Sequence, residues 1–130
     1  MLKIPRDINQ KLMEHAQKEA PLEACGYLAE KDGEVVCHYE LTNTDKSGEH
    51  FTMDPKEQFE TVRDIREHNY KTSAVYHSHP ETPARPSEED IKLAYDAEIS
   101  YVIISLLTRE IKSFKIKNGE VSPEEIVLID

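Results

Sequence analysis

The sequence predicts an α+β fold: a mixed β-sheet with helices packed against it. Three observations carry that expectation. Apolar residues recur at helical spacing near the N-terminus and again mid-chain. Two hairpin signals, Asp32-Gly33 and Asn118-Gly119, stand between segments of strand-like composition. Tyr101 to Leu107 is an almost unbroken apolar run, the pattern of a central strand buried on both faces. The length of 130 residues suits a single domain, 1–130, with one core.

Taken in order, Ile8, Leu12, Met13, Ala16 and Ala20 mark an amphipathic helix over about 6–19, which Pro21 ends. A strand over 24–30 and its return over 35–41 flank the Asp32-Gly33 turn. The polar stretch 42–49 reads as a loop, and 50–53 as a short strand. Asp54-Pro55 has cap and first-turn chemistry for a second helix over 55–69, with Phe59, Val62 and Ile65 as its inner stripe. A strand over 73–78 follows. Pro80, Pro83 and Pro86 then forbid regular structure until Ser87, which caps a third helix whose apolar residues are Ile91, Leu93, Ala94 and Ala97. After the apolar run, 111–117 alternates as a strand. Asn118-Gly119 turns the chain into a last edge strand over 121–128, around Pro123.

Charge narrows the partners. With 26 acidic and 16 basic residues the net charge is −10, which argues against a protein that tracks phosphates along nucleic acid. The acidic excess reads as a solvated face that would favour a partner with a basic surface. No apolar run approaches the roughly 20 residues that span a bilayer, so no membrane is expected. Met1 to Arg6 lacks the apolar core of a signal peptide. Cys25 and Cys37 flank the first hairpin and could face each other across it, but a lone pair in a leaderless chain reads as reduced. Together these features make the cytoplasm the expected location. Oligomeric state stays open, a homodimer included.

The chemistry concentrates in Tyr76-His77-Ser78-His79-Pro80 and Pro86-Ser87-Glu88-Glu89-Asp90. In extended backbone, residues two apart point to the same face, about 6.5–7 Å apart at Cα. That span lets His77 and His79 converge on one ion, with Asp90 presented from the third helix. Two imidazoles and a carboxylate are a ligand set that catalytic zinc takes, with the fourth position open to water. The metal would lower the pKa of that water toward ~7 and so produce a nucleophile. Such a reaction also needs a general base. Glu23 is the candidate, because it stands beside Pro21 at the start of a strand rather than on an exposed helix face. Ser87 is a candidate donor to a tetrahedral oxyanion, and equally a plain N-cap.

These residues resemble the JAMM/MPN+ motif of zinc isopeptidases, Glu … His-x-His-x10-Asp with a Ser three residues before the Asp. The match comprises Glu23, His77, His79, Ser87 and Asp90. Pro21 to Gly26 is similar to the Glu-bearing segment of the small prokaryotic members. Phe51-Thr52-Met53-Asp54-Pro55 is similar to their entry into the second helix, and Tyr101 to Ser105 and Phe114 to Ile116 are also alike. The resemblance implies a JAB1/MPN, cytidine-deaminase-like architecture. It implies Zn2+ held by His77, His79 and Asp90, water activated by Glu23, and oxyanion help from Ser87. The implied substrate is a ubiquitin-like or sulfur-carrier protein, cut where its C-terminal glycine joins a cysteine or a lysine. An extended tail of that kind could add as a strand at a sheet edge, with the 42–49 loop as a wall of the groove. DNA-repair-associated relatives carry Asn between the histidines where this chain has Ser78, which points away from a repair role.

Two other readings compete. A non-catalytic MPN-type interaction scaffold would have no use for a complete ligand set. A metal-dependent nuclease would want the opposite charge, and a zinc deaminase would want a Cys-x-x-Cys that is missing. The remaining histidines are scattered: His15, His38 and His68 read as structural or exposed, and His50, in the loop before Phe51, has the substrate cleft as its lesser alternative. Cys25 reads as a small buried residue rather than a nucleophile.

Overall fold

A computed structural model describes residues 1–130 and contains eight strands and three helices. The first are β1 (Leu2–Pro5), α1 (Arg6–Glu19), β2 (Cys25–Lys31) and β3 (Glu34–Leu41). Then come α2 (Pro55–Glu67), β4 (Lys71–His79), α3 (Glu88–Lys92) and β5 (Ser100–Ser105). The chain closes with β6 (Glu110–Lys117), β7 (Glu120–Glu124) and β8 (Ile126–Ile129). All eight strands form one mixed sheet in the order β7-β6-β5-β4-β2-β3-β1-β8. The pairs β4–β5, β1–β3 and β1–β8 are parallel and the others antiparallel. The α+β expectation therefore holds.

The strand at one end of that order runs into the strand at the other through the single residue Glu125. The sheet must therefore coil until its two ends meet at a corner. Glu124 fixes the corner by accepting hydrogen bonds from Ser100 Oγ (2.6 Å) and Ser113 Oγ (2.7 Å). Inside the coil lies α1. Its Ile8, Leu12 and Ala16 pack with Leu2, Ile4, Leu28, Val35, Ala74, Tyr76, Val102 and Ile104 into the main core. Side chains of β4 and β5 alternate between the faces, so Tyr76 and Val102 join this core while His77 and Ile103 point the other way. Both hairpins turn through successive left-handed residues, Asp32 (φ 53°) and Gly33 (φ 81°), then Asn118 (φ 51°) and Gly119 (φ 78°), the type I′ geometry expected of them.

Several expectations need correction. The inner stripe of α2 is not Phe59, Val62 and Ile65: Phe59 is 67% exposed and Val62 39%, and the buried residues are Thr61 and Ile65. The inner face is polar because it is satisfied by side chains below it. Asp64 accepts from Tyr39 Oη (2.6 Å), Gln58 donates to Tyr27 Oη (3.1 Å), and Glu57 accepts from Thr42 N (2.7 Å). The helix also ends at Glu67, before left-handed Asn69. The third helix stops at Lys92, so of its expected apolar residues only Ile91 lies inside it, and Leu93, Ala94 and Ala97 lie beyond.

Residues 50–53 make only an isolated bridge, Asn43 with Met53. The apolar run yields β5 only to Ser105, and Leu107 is an exposed turn residue. The expected last strand is two strands on opposite edges, and β1 had no signal at all. Cys25 stands opposite Leu41 and Cys37 opposite Ala29, so the cysteines are four pairs out of register and both are free. No helix is long and apolar enough to cross a membrane.

Candidate active site

β4 delivers both histidines from its last residues, onto the face away from α1. Ser78 between them is wholly buried and joins the neighbouring segment: its N–H donates to Ala24 O (3.0 Å) and its Oγ accepts from Ala24 N (2.7 Å). After Pro80 the chain loops out and returns at Ser87, the N-cap of α3. There Ser87 Oγ accepts from Asp90 N (3.0 Å) and Ser87 N donates to Asp90 Oδ2 (2.9 Å), a reciprocal capping box. That box aims the Asp90 carboxylate back at β4.

The three side chains meet. His77 Nε2, His79 Nε2 and Asp90 Oδ2 form a triangle with every edge 3.1 Å. Zinc takes imidazole at about 2.0–2.1 Å and carboxylate at about 2.0–2.2 Å, so tetrahedral donors stand roughly 3.3 Å apart. The donor set therefore fits a zinc-sized ion. His79 Nδ1 lies 2.9 Å from Pro83 O, a carbonyl that can only accept, so Nδ1 carries a proton and Nε2 is the ring atom turned toward the other two donors. The loop that carries Pro83 is held in turn. Ser105 Oγ, wholly buried at the end of β5, donates to Thr82 O (2.7 Å), one residue before.

Electrostatics agree with the geometry. Burial alone would raise the Asp90 carboxyl, but hydrogen bonds to His77 and His79 hold it well below the usual carboxylate range. Burial would lower His79, and its bonds to Asp90 and to the Pro83 carbonyl outweigh that and raise it.

Glu23 comes to this site from a distant part of the sequence. Cys25 pairs with His77, so continuing the antiparallel register by two residues sets Glu23 opposite His79, on the face that carries the ligands. It is 4% exposed, and its Oε1 has no hydrogen-bond partner. Burial pushes its carboxyl up to about 8, against the opposing pull of His79. A buried, unpaired carboxyl beside a cluster of metal donors is a group poised to exchange a proton near neutrality.

His77, His79 and Asp90 thus meet with Glu23 close by, and Ser87 stands at the start of the helix that carries Asp90. Ser87 is the N-cap, and because its Oγ accepts from Asp90 N, the hydroxyl proton is free for another acceptor. His50 is exposed and oriented by Asp45 (2.9 Å). The other histidines serve elsewhere: His15 is buried against Tyr76 Oη (2.8 Å), and His68 caps α2 on Asp64 O (2.8 Å). Several supporting residues escaped the sequence reading. Phe51 stacks on His77 with ring centroids 4.8 Å apart. Pro83, Ser78 and Ser105 act through hydrogen bonds that no spacing rule reveals. Only the aromatic just before Asp54-Pro55 carried a signal.

Comparisons with known proteins agree with this picture. Residues 5–117 match the family described as prokaryotic homologs of the JAB domain. The chain is 31% identical over 135 residues to the CysO-cysteine peptidase of Mycobacterium tuberculosis, covering 100% of this chain and 92% of that protein. It is also 31% identical over 121 residues to a probable TtuB-protein conjugate cleaving protease of Thermus thermophilus, 92% of this chain and 79% of the relative. Among solved structures, one of a Desulfitobacterium hafniense protein superposes with a TM-score of 0.90 at 43% identity, covering 100% of this chain and 94% of that one.

Proposed function

This chain belongs to the family of prokaryotic JAB-domain proteins, the small prokaryotic branch of the JAMM peptidases, and from that premise we propose how it works and on what. It is a hydrolase of peptide or isopeptide bonds. Our reading is that Zn2+ is its metal, that His77, His79 and Asp90 hold it, and that Glu23 is the general base. The observation that carries this reading is the 3.1 Å triangle of donors beside the buried, unpaired carboxyl of Glu23.

Zinc bound there would supply Lewis acidity, lowering the pKa of water and polarising a carbonyl. The rest falls to the chain. Glu23 accepts the proton of the attacking water as the new C–O bond forms. It returns that proton to the departing amine nitrogen as the C–N bond breaks, leaving a carboxylic acid and a free amine. The free hydroxyl proton of Ser87 donates to the carbonyl oxygen as it gains charge. A purely scaffolding protein would have no use for a carboxyl left unpaired in the interior.

For the substrate, we take the bond that follows the C-terminal glycine of a sulfur-carrier or other ubiquitin-like protein. The names of the Mycobacterium and Thermus relatives support that choice. The tail of such a carrier is extended, and the loop 42–49, which leads into Phe51, would wall its groove. The test is to incubate the zinc-loaded protein with sulfur-carrier proteins bearing a C-terminal cysteine, a longer peptide, or an isopeptide-linked lysine. Mass spectrometry should find the carrier ending at its glycine for at least one of these. Cleavage that persists with a chelator, or none with any adduct, would overturn the reading.

A further inference from the structure

Glu23 raises a question that its own side chain does not answer. Oε1 has no hydrogen-bond partner, so no bond at that oxygen locks the carboxyl in its direction. Nor is Glu23 inside a strand, since β2 begins two residues later. Its position therefore depends on its main chain, and the bonds of that main chain go to a single loop. Glu23 N donates to Ser47 O (2.7 Å), and Glu23 O accepts from Asn43 Nδ2 (3.1 Å).

Asn43 is the hub of that loop. It is 4% exposed, a rare degree of burial for Asn, and both ends of its carboxamide are used. Nδ2 also donates to Ser47 O (3.3 Å) and His50 O (3.1 Å). Oδ1 accepts from Asp45 N (3.0 Å) and Thr52 N (3.2 Å). No other side chain of this size offers an acceptor and two donors in one plane. The loop is pressed onto the segment that carries Glu23, since a Cβ added at Gly48 would lie 2.5 Å from Pro21 O. At its far end, Phe51 stacks on His77. One loop thus grips the main chain of the base and covers a ring of the ligand triangle.

We infer that Asn43 is a positioning residue, whose carboxamide holds the main chain of Glu23 so that the unpaired carboxyl faces the metal-binding donors. This rests on the reading of Glu23 as general base. A residue that only stapled the loop would affect stability without singling out the proton-transfer step.

The test uses the full, zinc-loaded chain and two kinds of change. Asn43→Asp keeps the acceptor for Asp45 and Thr52 but removes the donors that hold Glu23. Gly48→Ala leaves Asn43 intact and forces the loop off Pro21. The substrate is a sulfur-carrier protein extended by cysteine after its C-terminal glycine. For both variants kcat should fall by about 100-fold, the cost of misplacing a reacting group by roughly 1 Å. KM and zinc stoichiometry should change by less than about twofold, as expected when only the transition state is affected. In amide hydrogen exchange, the Glu23 N–H should lose protection while β4 and β5 keep theirs.

Unchanged kcat with a protected Glu23 amide overturns the inference. So does a loss of activity that arrives together with loss of zinc or of sheet protection, which would mark a purely structural role. The exchange measurement does not depend on catalysis. If the wild-type protein cleaves nothing, the peptidase reading fails, and loss of Glu23 protection in the variants still upholds the tether.

Discussion

The two halves of the site are built in opposite ways. The half proposed to hold the metal is local: His77, His79 and Asp90 fall within fourteen consecutive residues, on one strand end and the first turn of a five-residue helix. Its orientation is set by short-range bonds, the capping box at Ser87 and the Pro83 carbonyl on His79. The half that carries the proposed base is assembled at long range. Glu23 is more than fifty residues from His77, sits outside any strand, and is placed by β2–β4 register and the 42–53 loop. The three donor atoms stand 3.1 Å from one another, whereas the carboxyl of Glu23 has an oxygen with no partner. The first half resembles a stable structural site. The second is a group held in a state it would not choose, as acid–base chemistry requires.

Separating the halves by mutation is the strongest test of this contrast. Asp90→Ala should remove zinc and activity together, because it takes away one of three donors and half of the α3 capping box. Glu23→Gln should keep full zinc stoichiometry while kcat falls by about 10²–10⁴-fold, the usual worth of a general base. Metal analysis beside steady-state kinetics reads both. Zinc lost from the Glu23 variant, or kept with activity in the Asp90 variant, would break the division.

A smaller effect concerns stability. The folded-state pKa of Glu23, about 8, lies above its ordinary value of 4.5, so folding favours the protonated form. That contribution is fully present below pH 4.5 and is lost as pH rises toward 8. In metal-free protein, Glu23→Gln should therefore be about as stable as the wild type near pH 4.5. It should be more stable at pH 8, by on the order of 3–5 kcal/mol at most, given about 1.4 kcal/mol per pKa unit. Denaturant midpoints of the chelated proteins across this range would show it. Parallel curves for the two proteins would mean that Glu23 is not strained by burial.

The smallest expected effect probes the local half. Ser105→Ala frees the Thr82 carbonyl and loosens the loop whose next carbonyl, Pro83 O, orients His79. Zinc affinity should weaken by about tenfold, at the low end of the range for outer-shell partners, while kcat at saturating zinc stays unchanged. Competition with a chromogenic chelator measures it. A change in kcat instead would mean that the two halves are coupled through this loop.

What was legible in the sequence followed from what is local. The bounds of α1 could be read because its apolar period faces one core and Pro21 closes it. Both type I′ turns were legible because their dihedrals demand Asp-Gly and Asn-Gly. The donor triangle was legible because period-two alternation and an N-cap are rules of a few residues. Glu23 was legible only as one member of the constellation with His77, His79 and Asp90, since a Glu beside a Pro has no signature of its own.

Elsewhere local rules gave the wrong answer. Phe59 and Val62 carry the period of a buried stripe yet face solvent. The opposite face of α2 meets Tyr39, Tyr27 and Thr42, whose polar groups pair with Asp64, Gln58 and Glu57. The strand expected over 121–128 became two because its second half pairs with β1 across the length of the chain, and no window of sequence contains that partner.

The sequence by itself therefore determined the fold class, the helices that cover it, the turns, and the trio His77, His79 and Asp90. Tertiary structure alone decided the coiling of the sheet, the polar seat of α2, and the burial of Glu23 without a partner for Oε1. The physical reason is range. Periodicity, caps and turns are properties of neighbours in the chain, whereas the pKa of a carboxyl is set by whatever the folded protein packs around it.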